Sequence, residues 1–338
     1  MNQWPPSQDL YPERLNRVRE LIAAGDDAAL AAELADLAVA NGDVWRFDGA
    51  QVRLALEKEP PARRHALVLA VGERATAPVS ELLRMLAHGI GADVLTWPAA
   101  RLLIDGAGTC NVFPWLDELT LLAEFAERET GALPPGLVAV MRRTAHFRHD
   151  RERLRPWLDR QTGLLNAGEA WAETADADAA GRALLTHALA ATGPRPAATW
   201  TRAAAMVTVG DWKPRVHDWL ARVPSPRTIA LRVNTLYDLN ALLDPYNAQA
   251  LRGLLHLLSV TPEHVDDAAV IGGLAAYTME KVPGHGPRDQ MIANAAIAAL
   301  GRLASDPARS ELERLRAATR QPGMIKRLDA AMPRRHVS

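Results

Sequence analysis

The sequence predicts an all-α protein: an α-solenoid of short antiparallel helix pairs stacked like HEAT repeats, with a compact helical bundle as the structural alternative. Three observations carry this expectation. Apolar residues recur at helical spacing in segment after segment. Ala, Leu and Arg dominate, and these side chains lose little rotamer freedom in a helix. Proline and glycine break the chain at intervals that suit helices of three to five turns.

Taken in order, Leu30, Leu34 and Leu37 mark an early helix, and Leu82, Leu83, Leu86 and Ile90 a later one. Leu251, Leu254, Leu255 and Leu258 follow the i, i+3, i+4, i+7 pattern, and Ala293, Ile297, Leu300 and Ala304 repeat it near the end. No sustained alternation of β-branched residues is visible; Met206–Val209 comes nearest and is short. The breaks fall at Gly25, Asn41-Gly42, Pro60-Pro61, Pro78 and Gly91, then at Pro134-Pro135-Gly136, Gly193-Pro194, Pro224, Pro226, Pro245, Pro262, Pro283-Gly284 and Pro307. Short helices with short links favour antiparallel neighbours in series. No repeat consensus is visible, so the array is read from rhythm. The organisation expected is N-terminal helical repeats over 1–165, an irregular acidic segment or linker over 166–181, and C-terminal helical repeats over 182–338.

Composition narrows the function classes. Hydrophobic residues make up 48% and charged residues 23%, which places the chain with globular rather than disordered proteins. A formal net charge of -1 argues against coating nucleic acid through overall charge, though a local basic patch is compatible with it. Cys110 is the single cysteine, so neither an intrachain disulfide nor a cysteine metal cluster is available. The start, Met1 to Arg14, has neither the basic start nor the apolar core of a secretory signal. The longest apolar run, Ala268–Met279, is too short to span a bilayer. A cytoplasmic location with no membrane contact is the expectation; the oligomeric state is not legible.

The most specific local signal is Lys281-Val-Pro-Gly-His-Gly-Pro-Arg288, between two helical segments. The first, Asp267–Glu280, stops at Pro283-Gly284, and the second is expected to begin at Pro287, where no N–H is required. Gly284 and Gly286 can adopt positive φ and fold the backbone tightly. On the functional reading, free N–H groups of Arg288, Asp289 and Gln290, with Lys281 and Arg288 beside them, make an anion or phosphate site resembling a helix-hairpin-helix turn. On the plain reading it is a tight interhelical turn, and Asp289 already supplies the first turn with negative charge.

The same region carries a family resemblance. Asn247-Ala-Gln-Ala-Leu-Arg-Gly-Leu-Leu, the 281–288 turn and Asn294-Ala-Ala-Ile-Ala-Ala-Leu-Gly301 together resemble the helical-repeat region of the uncharacterised bacterial MolR-like, WGR-associated proteins. The resemblance spans about residues 235–335, and no WGR module is visible. It implies a HEAT-like helical architecture and brings no activity with it.

Other groupings each have two readings. Arg142, Arg143, Arg148, Arg151, Arg153, Arg155 and Arg160, with Phe147 and Trp157 among them, suit a nucleic-acid backbone track with stacking aromatics, or else a solvated helix face. A second basic stretch, Arg314–Arg335, includes Arg316, Arg320, Lys326, Arg327 and Arg334. His146 and His149 are neighbours on a helix, but surrounding arginines oppose a cation, so no metal site is expected there. In Trp212-Lys-Pro-Arg-Val-His-Asp-Trp219, Arg215 and Trp219 have cation–π spacing, and His217 and Asp218 offer acid–base groups. Helical-repeat DNA glycosylases hold lesions with Trp and Asp, which makes this segment the place to look for such a site; core packing of the tryptophans is the alternative. Gly106-Ala-Gly108 and Gly284-His-Gly286 lack the third glycine and preceding strand of a nucleotide site. No hydrolase elbow, Walker loop or zinc-protease helix is present in the sequence.

The reading that results is a noncatalytic helical-repeat binding or scaffold protein that engages a protein partner through its concave face and needs no cofactor. The alternative is a nucleic-acid-binding protein or metal-independent, glycosylase-like DNA-repair enzyme. That alternative would use the basic stretches, Trp212, Arg215, Trp219 and the Lys281–Arg288 turn.

Overall fold

The computed structural model describes residues 11–43, 48–75, 79–148, 151–232 and 237–332. Pro78, His149, Asp150, Arg334 and Arg335 lie outside the described residues. The described chain is predominantly helical, with almost no strand, and divides into two compact units.

The first unit comprises Met1–Thr144 with Glu152–Trp157. It holds α1 (Tyr11–Ala24), α2 (Asp27–Ala40), α3 (Asp48–Leu56), α4 (Pro61–Arg74), α5 (Ser80–Ala87), α6 (Trp97–Gly108), α7 (Leu116–Thr130) and most of α8 (Pro135–Phe147). Among the described residues, the stops read from the sequence fall between helices or in a helix's first turn. Gly25 takes φ +70 after α1, and Asp26 then caps α2 by accepting the Ala29 N–H at 3.0 Å. Pro61 opens α4 and Pro135 opens α8, where a missing N–H costs nothing. α2 inserts Leu30, Leu34 and Leu37, and α5 inserts Leu82, Leu83, Met85 and Leu86. Packing follows chain order: α1 on α2, α2 on α4, α4 on α5, α5 on α6 and α6 on α7. The α5 N-terminus lacks a local cap, and the Asp43 carboxylate supplies one from a distance, accepting the N–H groups of Glu81 at 2.6 Å and Leu82 at 3.0 Å. The two glycines of α6 serve packing. A Cβ on Gly106 would meet Ser80 at 3.1 Å, and one on Gly108 would meet the Gly136 backbone at 3.3 Å.

The second unit comprises Ala145–Arg151 with Leu158–Ser338. After the one-turn α9 (Arg155–Leu158), which straddles the two units, it holds α10 (Ala170–Ala177), α11 (Arg182–Leu189), α12 (Ala198–Val207), α13 (Trp212–Ala221), α14 (Asn247–Val260) and α15 (Asp267–Met279). A two-residue hairpin, β1 (Lys281–Val282) with β2 (Gly286–Pro287), leads to α16 (Gln290–Leu303), α17 (Asp306–Ala318) and α18 (Pro322–Ala331). α14 is buried on nearly every side, with Leu251, Leu254, Leu255 and Leu258 all at 0% exposure. Each such leucine contributes roughly 2 kcal/mol of burial. α14 and α15 pack on α16, α15 on α17, and α16 on α17 and α18.

Some expectations change. The second helix of the 281–288 region starts at Gln290 rather than Pro287, because Pro287 is engaged in the hairpin and Asp289 makes the N-cap. The acidic stretch 166–181 lies inside the second unit and carries α10, whose Trp171 is 1% exposed. Among the described residues no helix is long and apolar enough to cross a membrane.

Candidate functional site

In the 281–288 turn, Gly284 and Gly286 adopt φ of +79 and +115, values that side chains with a Cβ rarely reach. Antiparallel pairing of Lys281 with Pro287 and Val282 with Gly286 closes the turn and buries Val282. Two of the three N–H groups expected to be free, those of Arg288 and Asp289, are committed within the chain. Arg288 N–H donates to Glu280 O at 2.7 Å, Asp289 N–H to Thr278 O at 3.1 Å, and Ile292 N–H to the Asp289 carboxylate at 2.8 Å. Arg288 lies 4.1 Å over the Tyr277 ring. Its guanidinium donates to Tyr277 O at 3.3 Å, to Ala241 O and to Glu280 at 2.9 Å. On this point the backbone N–H groups of Arg288 and Asp289 are taken up within the chain and are not open to a phosphate. Lys281 remains exposed at the hairpin edge.

The first arginine-rich stretch is also reassigned in part. Arg143 is 1% exposed and donates to Gly108 O at 3.5 Å, Cys110 O at 2.8 Å and Asn111 O at 2.9 Å, closing the carbonyl end of α6. Arg142 is 7% exposed, so neither side chain offers a surface to a polyanion. Arg153 pairs with Asp117, and Arg155 with Glu152 at 2.9 Å. Arg142, Arg143 and the half-buried Trp157 belong to the first unit, while the half-buried Arg148 and exposed Arg151 belong to the second. In the C-terminal stretch Arg314 pairs with Glu311, and Arg316 with Asp329 at 2.8 Å.

In α13, Trp212 and Trp219 are core residues at 6% and 1% exposure. The Trp219 ring occupies the space over Gly181, where a Cβ would come within 2.3 Å of it. Arg215 turns to Asp178 at 2.6 Å rather than stacking on Trp219, and Asp218 pairs with Arg222 on the exposed side. The two acid–base groups of this segment, His217 and Asp218, go separate ways, and His217 takes a different carboxylate. Its Nε2 lies 2.7 Å from Oδ1 of Asp267, the first residue of α15, which is at 0% exposure. Asp267 Oδ2 accepts from Lys213 Nζ and from the His264 N–H at 2.8 Å, and Lys213 also donates to Pro262 O at 2.7 Å. The His264 ring centroid stands 5.5 Å from that of His217. The sequence hides this cluster because its halves are 50 residues apart. Asp267, preceded by Asp266, reads there as helix-start chemistry.

A second buried polar cluster comes from the acidic stretch. Glu169 accepts from Trp171 Nε1 at 3.0 Å, Asn247 Nδ2 at 2.9 Å and the Asp244 N–H at 2.7 Å, with Arg227 at 3.5 Å. Asn166 donates to Asp244 at 3.1 Å, and Asn247 accepts the Asn166 N–H at 2.7 Å. Burial, then the neighbouring Asp244 charge, raises the Glu169 carboxyl above its ordinary range. These groups point at one another and hold the chain before α14 against α10.

The first unit contains a pocket of about 490 Å³ counted out to its mouth, walled by Ile90, Leu95, Leu103, Phe113 and Leu122, with Cys110 half-buried in it. Its two charged lining groups are each engaged. Arg84 pairs with Glu81 and lies 3.7 Å over the Trp115 ring, and Glu118 pairs with His88. No family model matches the chain, and neither a curated protein nor a solved structure matches it.

Proposed function

We propose that the chain is a noncatalytic, cytoplasmic helical-repeat protein that binds a protein partner. The observation that carries this reading is a set of strongly exposed apolar side chains in the second unit. Met206 is 81% exposed, Val209 69% and Val265 82%. Met206 and Val209 lie at and beyond the end of α12, and Val265 lies in the α14–α15 loop. Lys213, four residues after Val209, reaches Pro262 O and Asp267, so the two loops are held at the same end. Single exposed apolar residues are ordinary, but three this exposed, at the end of α12 and on two loops held at one end, suit a protein interface, where Met is enriched and charge depleted.

Two further observations support the reading. In the first unit and from α15 to α18 helices pack mainly on the next or next-but-one helix in chain order, which supports the HEAT-like architecture implied by the resemblance, while α14 packs back on α11. The candidate groups for chemistry or phosphate binding are largely engaged inside the chain, which weakens the nucleic-acid and DNA-repair alternative. The test is photo-crosslinking in cells from residues introduced at 206, 209 and 265, with an exposed control at 320. Protease-sensitive adducts at the three positions and not at the control are expected. Adducts no stronger than the control, or adducts removed by nuclease, would refute the reading.

A further inference from the structure

We infer that His217, His264 and Asp266 form a binding site for a zinc-class divalent metal ion. The site is independent of the partner-binding reading. One ligand atom from each of the three side chains lies within 4.8 Å of the others. They come from two elements, α13 and the loop leading into α15, which Lys213 and Asp267 already hold together.

The geometry of His217 is the decisive feature. Its Nε2 lies 2.7 Å from the fully buried Asp267 carboxylate, which leaves Nδ1 as the ring nitrogen that can take a metal. A carboxylate holding one ring nitrogen while the other faces a metal is the usual outer-shell arrangement of metal-binding histidines. Asp267 is itself fixed by Lys213 Nζ and the His264 N–H, so the ring cannot swing away without breaking a buried ion pair. His264 and Asp266 are already neighbours, Nδ1 standing 3.5 Å from Oδ2.

Charge and ligand type select the ion. Lys213 is balanced by Asp267, which leaves the Asp266 carboxylate to offset a cation's charge. This differs from His146, whose surroundings are rich in arginine. Two imidazoles and one carboxylate match zinc or its transition-metal neighbours rather than magnesium or calcium, which prefer oxygen. Three protein ligands leave a coordination position for water or a partner's side chain. In a tetrahedral site, bonds of about 2.0 Å set neighbouring ligand atoms roughly 3.3 Å apart. His264 and Asp266 are 41% and 63% exposed, so side-chain rotation on the loop closes the remaining gap.

The experiment is calorimetric titration of the chelator-treated full chain with zinc chloride, with magnesium and calcium chloride as comparison ions. One equivalent of zinc with micromolar or tighter affinity is expected, with no response to magnesium or calcium. His264→Ala and Asp266→Asn should each weaken zinc binding at least about tenfold. Both residues sit on an exposed loop, and circular dichroism checks that the variants fold. His285→Ala, at an exposed histidine on the hairpin, should leave affinity unchanged. Absence of zinc binding by the wild type, or undiminished affinity in His264→Ala, would show that the cluster is only an ion-pair tie between the loop and α13.

Discussion

His256 illustrates how a single buried group makes stability depend on pH. It sits at 0% exposure in α14, with Nε2 3.3 Å from Gly193 O and Nδ1 accepting from Arg302 at 3.2 Å. The ring is therefore neutral, with its proton on Nε2. Burial, with lesser contributions from Arg302 and Arg252, lowers it to about 4 from the ordinary 6.5. The folded state resists protonation that the unfolded chain accepts, so this contribution is complete above pH 6.5 and is lost as pH falls toward 4. His187, stacked on Trp200 at 4.3 Å and lowered by burial, acts in the same direction. Urea midpoints measured from pH 7 to pH 4 should fall more steeply in the wild type than in His256→Gln; equal slopes would show that His256 is not the linked group. At this scale the sequence was least informative. The spacing of α14 marks position 256 only as one more site on a helix, and its partners come from Gly193 and Arg302.

At the scale of elements, glycines decide how close helices come. Gly253 on α14 faces α11 so closely that a Cβ would lie 2.1 Å from the Ala188 carbonyl oxygen and 2.5 Å from its Cα. Backbone cannot give way as a side-chain end does, so Gly253→Ala should cost about 3 kcal/mol, read from the denaturant midpoint. Gly273 on α15 is the control, because nothing lies within 4 Å of its added Cβ. Gly273→Ala should instead gain about 0.5–1 kcal/mol from helix propensity. Matching signs would refute the close-approach account. Sequence periodicity located α14 and α15 well, since burial of Leu251, Leu254 and Ile271 requires helical spacing. It could not separate Gly253 from Gly273, because their difference is a neighbouring helix.

At the scale of the molecule, the arginines change meaning. Arg64 donates to Leu86 O and His88 O at the end of α5, and Arg143 to the carbonyls at the end of α6. Arg252 donates to Ala191 O just past α11, and Arg288 to Tyr277 O near the end of α15. A protein of many short helices has many carbonyl ends to satisfy, and a forked guanidinium reaches two or three at once. Read along the sequence, Arg143 and Arg288 are candidate phosphate ligands; in the fold they close helix ends. With net charge -1 and these cations engaged, binding to short duplex or single-stranded DNA should be weaker than micromolar across a salt series. Micromolar affinity with a steep salt slope would restore the nucleic-acid reading.

What the sequence by itself determined is the local part of the structure: helices from 3.6-residue burial, their ends from Gly25, Pro61, Pro135 and the Asp26 cap, and the sharp turn from Gly284 and Gly286. These follow from dihedral and hydrophobic preferences acting within a few residues. The tertiary structure alone decided which polar groups meet. Asp267 finds Lys213 and His217 across some 50 residues, and Glu169 and Asn247 meet across 78. A buried charge is stable only where several partners converge on it, and helix packing, not spacing along the chain, brings those partners together.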